Sequence, residues 1–138
     1  MRYLRVEPGG ELRPYDGERP FRAIVVVEES VSPVWRAIAS KWLVDAGCLY
    51  LVAWGRECSL WDDSVDRANL EAFDFGEIPD RKLVMTTWHE REPLREVFRF
   101  AKNHALPADS SVKIAETLIL HVSRVDREQE YARLYAAA

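Results

Sequence analysis

Three short apolar runs, each ending abruptly in a group of polar and aromatic side chains, constrain this chain more than any other feature. They are Ala23 to Val27 into Glu28-Glu29, Leu49 to Ala53 into Trp54-Gly55-Arg56-Glu57-Cys58, and Leu83 to Met85 into Thr86-Thr87-Trp88-His89-Glu90. Short apolar runs with β-branched residues on both faces are what a strand covered on two sides requires. Helical patterns separate the runs, so the strands are parallel and their carboxyl ends share one edge. Open α/β sheets bind ligands outside that edge. The sequence thus locates a candidate site before it identifies a chemistry.

The first helix is the clearest element. Ser32 stands as N-cap, Pro33 takes the first helical position, and Gly47 supplies the stop. Between them Trp35, Ile38, Ala39, Trp42, Leu43 and Ala46 form one apolar stripe of a 3.6-residue period. A second helix is expected from about Asp62 to Phe73, with Val65, Ala68, Asn69, Ala72 and Phe73 inward. Strand three is expected over Lys82 to Thr87. Pro93 then opens a third helix with Leu94, Val97, Phe98 and Ala101 on its buried side. A fourth strand, Thr117 to Val122, leads to a last helix from Asp126, with Tyr131, Leu134 and Tyr135 inward.

Residues 1–20 carry Pro8, Gly9, Gly10, Pro14, Gly17 and Pro20, so only short structure fits there. Tyr3 to Val6 and Glu11 to Arg13 are expected to pair across Gly9-Gly10 as a hairpin or arm. Residues 21–138 then form a single α/β domain: a small doubly wound, Rossmann-like sheet of four mainly parallel core strands with helices on both faces. With core-strand order 2-1-3-4, the switch point falls between strands one and three, and Glu28, Glu29, Trp88, His89 and Glu90 line it.

Charge narrows the partner. The chain carries −4 overall, but residues 61–80 hold seven acids against Arg67, which makes that stretch −6 and leaves the remainder at +2. Such a surface repels phosphate backbones, and no basic stripe or aromatic RNA-binding motif offsets it, so nucleic acid is excluded as the expected partner. No run approaches the ~18 apolar residues of a membrane span, and Met1 to Arg5 lacks the apolar stretch of a signal peptide; the expected setting is the cytoplasm. Cys48 and Cys58 flank a strand that holds them apart, so no disulfide is expected.

Trp54-Gly55, Cys58, Trp61 to Asp66, Ala68 to Asp74 and Val84 to Glu90 together resemble an uncharacterised family of small bacterial proteins classed as a domain of unknown function. The resemblance covers roughly residues 21–138. It implies a bacterial cytosolic setting and carries no activity.

The residues themselves offer three readings. An acidic, Trp-rich cleft formed by Glu28, Glu29, Trp54, Trp61, Asp62, Asp63, Trp88 and Glu90 suits a protein, a peptide or a small cationic ligand, which makes a non-catalytic binding or regulatory domain the leading one. A small hydrolase would use Cys58 as nucleophile and His89 as its base, with Glu90 or Glu28 orienting the imidazole. A divalent-metal enzyme would draw on the hard oxygens of Glu28, Glu29, Asp62, Asp63 and Glu90. No metal site is assigned, since His89, His104, His121 and the two cysteines lack paired-ligand spacing. No cofactor is expected either: neither G-x-G-x-x-G nor G-x-x-x-x-G-K-[ST] occurs. His121, inside the run Leu118 to Val122, reads as a satisfied core or strand-end histidine. A homodimer is compatible with this composition.

Overall fold

The computed structural model describes residues 1–138. Strands β1 (Arg2–Val6), β2 (Phe21–Val27), β3 (Cys48–Gly55), β4 (Met85–His89) and β5 (Glu116–Val122) form one sheet in the order β1-β5-β2-β3-β4, with every pairing parallel. Helices α1 (Pro33–Ala46), α2 (Cys58–Ala72), α3 (Leu94–His104) and α4 (Glu128–Ala137) cover it on both sides. The α/β class is as the sequence indicates, with five strands rather than four. No helix is long and apolar enough to cross a membrane.

Two core layers follow from the alternation of side chains along the central strands. Ala23, Val25, Val27, Leu51 and Ala53 point to one face, where Trp35, Ala39 and Leu43 of α1 and Cys58, Trp61 and Val65 of α2 meet them. Ile24, Val26, Tyr50 and Val52 point to the other, against Leu94, Val97, Phe98 and Ala101 of α3 and Tyr131 of α4. The caps of α1 are those its sequence announces: Ser32 Oγ accepts from the Trp35 N–H at 3.1 Å, and Gly47 turns left-handed at φ 103°. Its buried face is rotated from the expected stripe. Arg36 and Ser40 turn inward toward α2, where Arg36 pairs with Glu57 and Ser40 Oγ bonds Ser64 Oγ at 2.8 Å. Ile38 is consequently 55% exposed.

The amino-terminal hairpin does not form. β1 lies parallel to β5, with Arg2 to Val6 in register with Leu118 to Val122, and Glu11 to Arg13 contribute no strand. Residues 7–20 instead run over the α1 face. Their carbonyls anchor two indoles, Trp35 Nε1–H on Gly10 O and Trp42 Nε1–H on Arg13 O, both at 2.9 Å. Tyr15 stacks on Phe21 with ring centroids 4.3 Å apart. Pairing β1 to a strand more than a hundred residues away leaves no local signature in the sequence, which is why a hairpin is the natural reading of it.

The strand order also departs from 2-1-3-4. β2 has β5 and β3 as neighbours, and β3 separates it from β4. Since β2 leads into α1 on one face and β5 into α4 on the other, the topological switch point lies between β2 and β5.

Candidate functional site

The carboxyl edge of the sheet holds two groups of polar side chains instead of one. The first occupies the β2/β5 switch point. His121, fully buried on β5, uses both ring nitrogens: Nδ1 lies 2.6 Å from Tyr3 Oη and Nε2 lies 2.5 Å from Glu28 Oε1. Tyr131 O–H donates to the same Glu28 oxygen at 2.5 Å, and Arg127 Nε sits 3.3 Å from it. The Arg127 backbone N–H donates to Tyr3 Oη at 3.1 Å. These roles form one consistent set, in which Tyr3 O–H donates to Nδ1 and a neutral His121 donates from Nε2 to an ionised Glu28. Burial lowers the His121 pKa against the pull of the carboxylate. For Glu28, burial alone would raise the carboxyl, but the bonds from Tyr131 and His121 outweigh it and hold the group below its ordinary value. Beside it, Glu29 pairs with the Arg124 guanidinium and accepts from the Arg124 N–H at 2.6 Å.

Tyr3, Arg127 and Tyr131 are absent from the set that sequence reasoning selects, because β1, β5 and α4 meet only in three dimensions. The available signal is His121 itself. A histidine inside an apolar run must find partners for both nitrogens.

The second group lies at the other side of the sheet, where α2 and β4 meet. Gly55 adopts φ 103°, and a Cβ there would stand 2.2 Å from Val27 O, so only glycine lets β3 leave so close beneath β2. Glu57 follows in the left-handed region at φ 55°, and α2 starts at Cys58, four residues earlier than expected. That earlier start makes Trp61 a helix residue on the inward face with Val65, Ala68 and Asn69, fully buried and edge-on to Trp35. Trp61 is therefore core, and its position leaves it no contact with a partner.

Cys58 and His89 do not face each other. The thiol packs in the layer under α1 and α2, while the imidazole lies toward α3, 4.8 Å from the Phe100 ring. Both imidazole nitrogens are engaged, Nδ1 with Glu92 at 2.9 Å and Nε2 with Thr87 Oγ1 at 3.0 Å. A helix N-terminus would favour the thiolate. Burial instead pushes the Cys58 thiol up. Cys48 is buried as well, its thiol pushed up to about 12 by burial, and both cysteines are free.

The remaining residues stay at the surface. Trp54 is half-buried and its Nε1–H donates to Glu92 O at 2.7 Å. Trp88 is 48% exposed and Glu90 is exposed. Along α2, Asp62 is half-buried and Asp63 exposed; burial, with Asp66 next, raises the Asp62 carboxyl. Thr86 Oγ1 donates to Asp66 Oδ1 at 2.8 Å, which ties the acidic face of α2 to β4. None of Asp62, Asp63, Asp66 or Glu90 has a cationic partner within 4 Å, whereas Glu28 and Glu29 both do. No group of three or more His, Cys, Asp or Glu side chains is placed to hold a metal. No hydrogen bond or ion pair joins the Glu28 group to the His89 group, since β3 stands between them.

A cavity of about 500 Å³ opens at the opposite end of the sheet, lined by Pro20, Gly47, Cys48, Asn69, Phe73 and Val84 among others, and one of about 410 Å³ lies along α3, lined by Glu92, Glu96, Arg99, Phe100, Asn103 and His104. Neither is lined by Asp62, Asp63, Asp66, Trp88 or Glu90. The molecule is thus an all-parallel, five-stranded α/β domain with a paired polar cluster at its switch point and an unpaired acidic, aromatic surface along one edge. It belongs to the family DUF7684, a domain of unknown function, whose model matches residues 1–138 and so includes β1. No curated protein and no solved structure matches the chain.

Proposed function

We propose that the domain is a non-catalytic binding module that receives a cationic partner on the α2/β4 surface. The observation that carries this reading is a contrast in pairing. The carboxylates at the switch point are neutralised within the molecule, while Asp62, Asp63, Asp66 and Glu90 are left without cations next to an exposed indole, Trp88. Like charges on successive turns of a helix cost stability. A positive side chain laid across them removes that repulsion and can stack on the Trp88 ring. The surface is open, which favours a segment of chain over a small molecule that would need to be enclosed.

A capped heptapeptide of alternating Arg and Val, titrated against the protein while tryptophan emission is followed, tests the reading. Saturable quenching that weakens as salt rises is expected, with affinity falling at least tenfold when Asp62→Asn and Asp66→Asn are combined. The double substitution relieves repulsion, so its urea midpoint should not fall. An isotherm unchanged by the double substitution contradicts the proposal.

A further inference from the structure

We infer that the partner binds as an added strand on the open edge of β4, its main chain continuing the sheet; this rests on the reading just given and specifies how the partner is held. β4 is a terminal strand with β3 as its only neighbour. Outside that ladder no backbone hydrogen bond of the molecule reaches Met85 to His89, so the outward N–H and C=O groups of the strand have no backbone partner. Natural edge strands are usually guarded by charge, proline, a bulge or a covering segment. Met-Thr-Thr-Trp-His has none of these: it carries no Lys, Arg, Asp, Glu or Pro, and its register with β3 is regular over all five residues. Two of its side chains, Met85 and Trp88, are large, apolar and exposed.

The side chains on either face define what the added strand must look like. Alternation puts Thr86 and Trp88 on the α2 side, which the Thr86 bond to Asp66 fixes, and Met85, Thr87 and His89 on the α3 side, which the His89 contact with Phe100 fixes. An added strand therefore meets carboxylates and an indole on one face and Met85 on the other. It should alternate, with Arg or Lys toward α2 and apolar residues toward α3, over about five to seven residues to match β4. A second copy of this chain fits poorly. Pairing β4 with β4 about a two-fold axis would bring together two −6 segments, Asp62, Asp63 and Asp66 of one protomer against those of the other. The shallow surface fits the same mode, because strand addition draws its affinity from the main chain and needs no cavity.

Backbone N-methylation of the alternating Arg–Val heptapeptide isolates the main-chain contribution without touching the protein's folding. One series methylates the amides of the Arg residues and a second those of the Val residues; a third peptide keeps the composition but groups all Arg before all Val. Strand addition presents only one alternate set of amides to β4. One methylated series should therefore lose at least tenfold in affinity and the other stay within twofold, and the grouped peptide should bind at least fivefold more weakly. Equal affinities for both methylated series and the parent overturn strand addition, and if those affinities still collapse in the Asp62→Asn/Asp66→Asn protein, the cationic-partner reading survives without it. A parent peptide that does not bind, or a concentration-dependent dimer in its absence that buries Trp88, overturns both.

Discussion

The two edges of this sheet are built on opposite plans. β1 carries Arg2 and Arg5, and both are paired, Arg2 with Asp16 and Glu116 and Arg5 with Glu7. Tyr3, between them, is tied through His121 to Glu28, and α4 closes over the group through Tyr131 and Arg127. Charge on a strand discourages a second chain from pairing with it, and a saturated polar cluster has nothing left to offer a ligand. At β4 the strand is uncharged and the carboxylates beside it have no cations; outward backbone groups lack a backbone partner at both edges, so side-chain charge is what separates the two. Polar side chains at strand ends thus divide by their partners. Those already satisfied hold the fold, and those left unsatisfied at the surface are available for recognition.

The largest expected effect that separates the two edges is on stability. His121→Ala removes a fully buried ring and leaves Glu28 and Tyr3 each short of a partner, so it should cost on the order of 3 kcal/mol in urea denaturation. It should leave peptide binding at β4 unchanged once the protein is folded. A cost below about 1 kcal/mol would show that the cluster is not what fastens α4 and β1.

A smaller effect is its dependence on pH. His121 has a lowered pKa in the folded protein, so the unfolded chain takes up that proton first; its contribution is complete above about pH 6.5 and is lost as pH falls toward the folded value. Glu28 is also held low, and its contribution is lost further down, as pH falls from about 4.3 through its folded value. Stability should therefore decline in two steps on acidification. In His121→Gln the upper step should disappear, and a pH profile identical to that of the natural protein would contradict the assignment.

The smallest effect on stability belongs to the other edge. Trp88 is half in solvent on a terminal strand, so Trp88→Ala should shift the urea midpoint by the equivalent of about 0.5 kcal/mol or less. It should nevertheless weaken the alternating peptide severalfold. A large loss of stability with intact binding would reverse the roles given to the two edges.

Much of this was legible in the sequence because it is local. Ser32, Pro33 and Gly47 bound α1 as their chemistry requires, and Leu94, Val97, Phe98 and Ala101 are buried as their spacing indicates. What depends on distant partners was not legible. The Tyr3 to Val6 strand reads as half of a hairpin until β5 takes it, and Trp61 reads as a surface indole until Gly55 and Glu57 start α2 early. The site divides for the same reason. Glu28 and Trp88 both follow apolar runs, but only the observed order reveals β3 between their strands and His121 beside Glu28. The acidic character of residues 61–80 is plain in the sequence, while the absence of cations around Asp62 and Asp66 emerges only from the folded chain.

Backbone amide hydrogen exchange on the full chain, with and without the alternating Arg–Val peptide, tests most directly whether β4 receives the partner while the charge-guarded edge β1 does not. Alternate amides of Met85 to His89 should exchange readily in the free protein and slow at least tenfold on binding, while those of Arg2 to Val6 keep their free-protein rates. Protection appearing on β1, or saturation by peptide with no change along β4, would contradict the account.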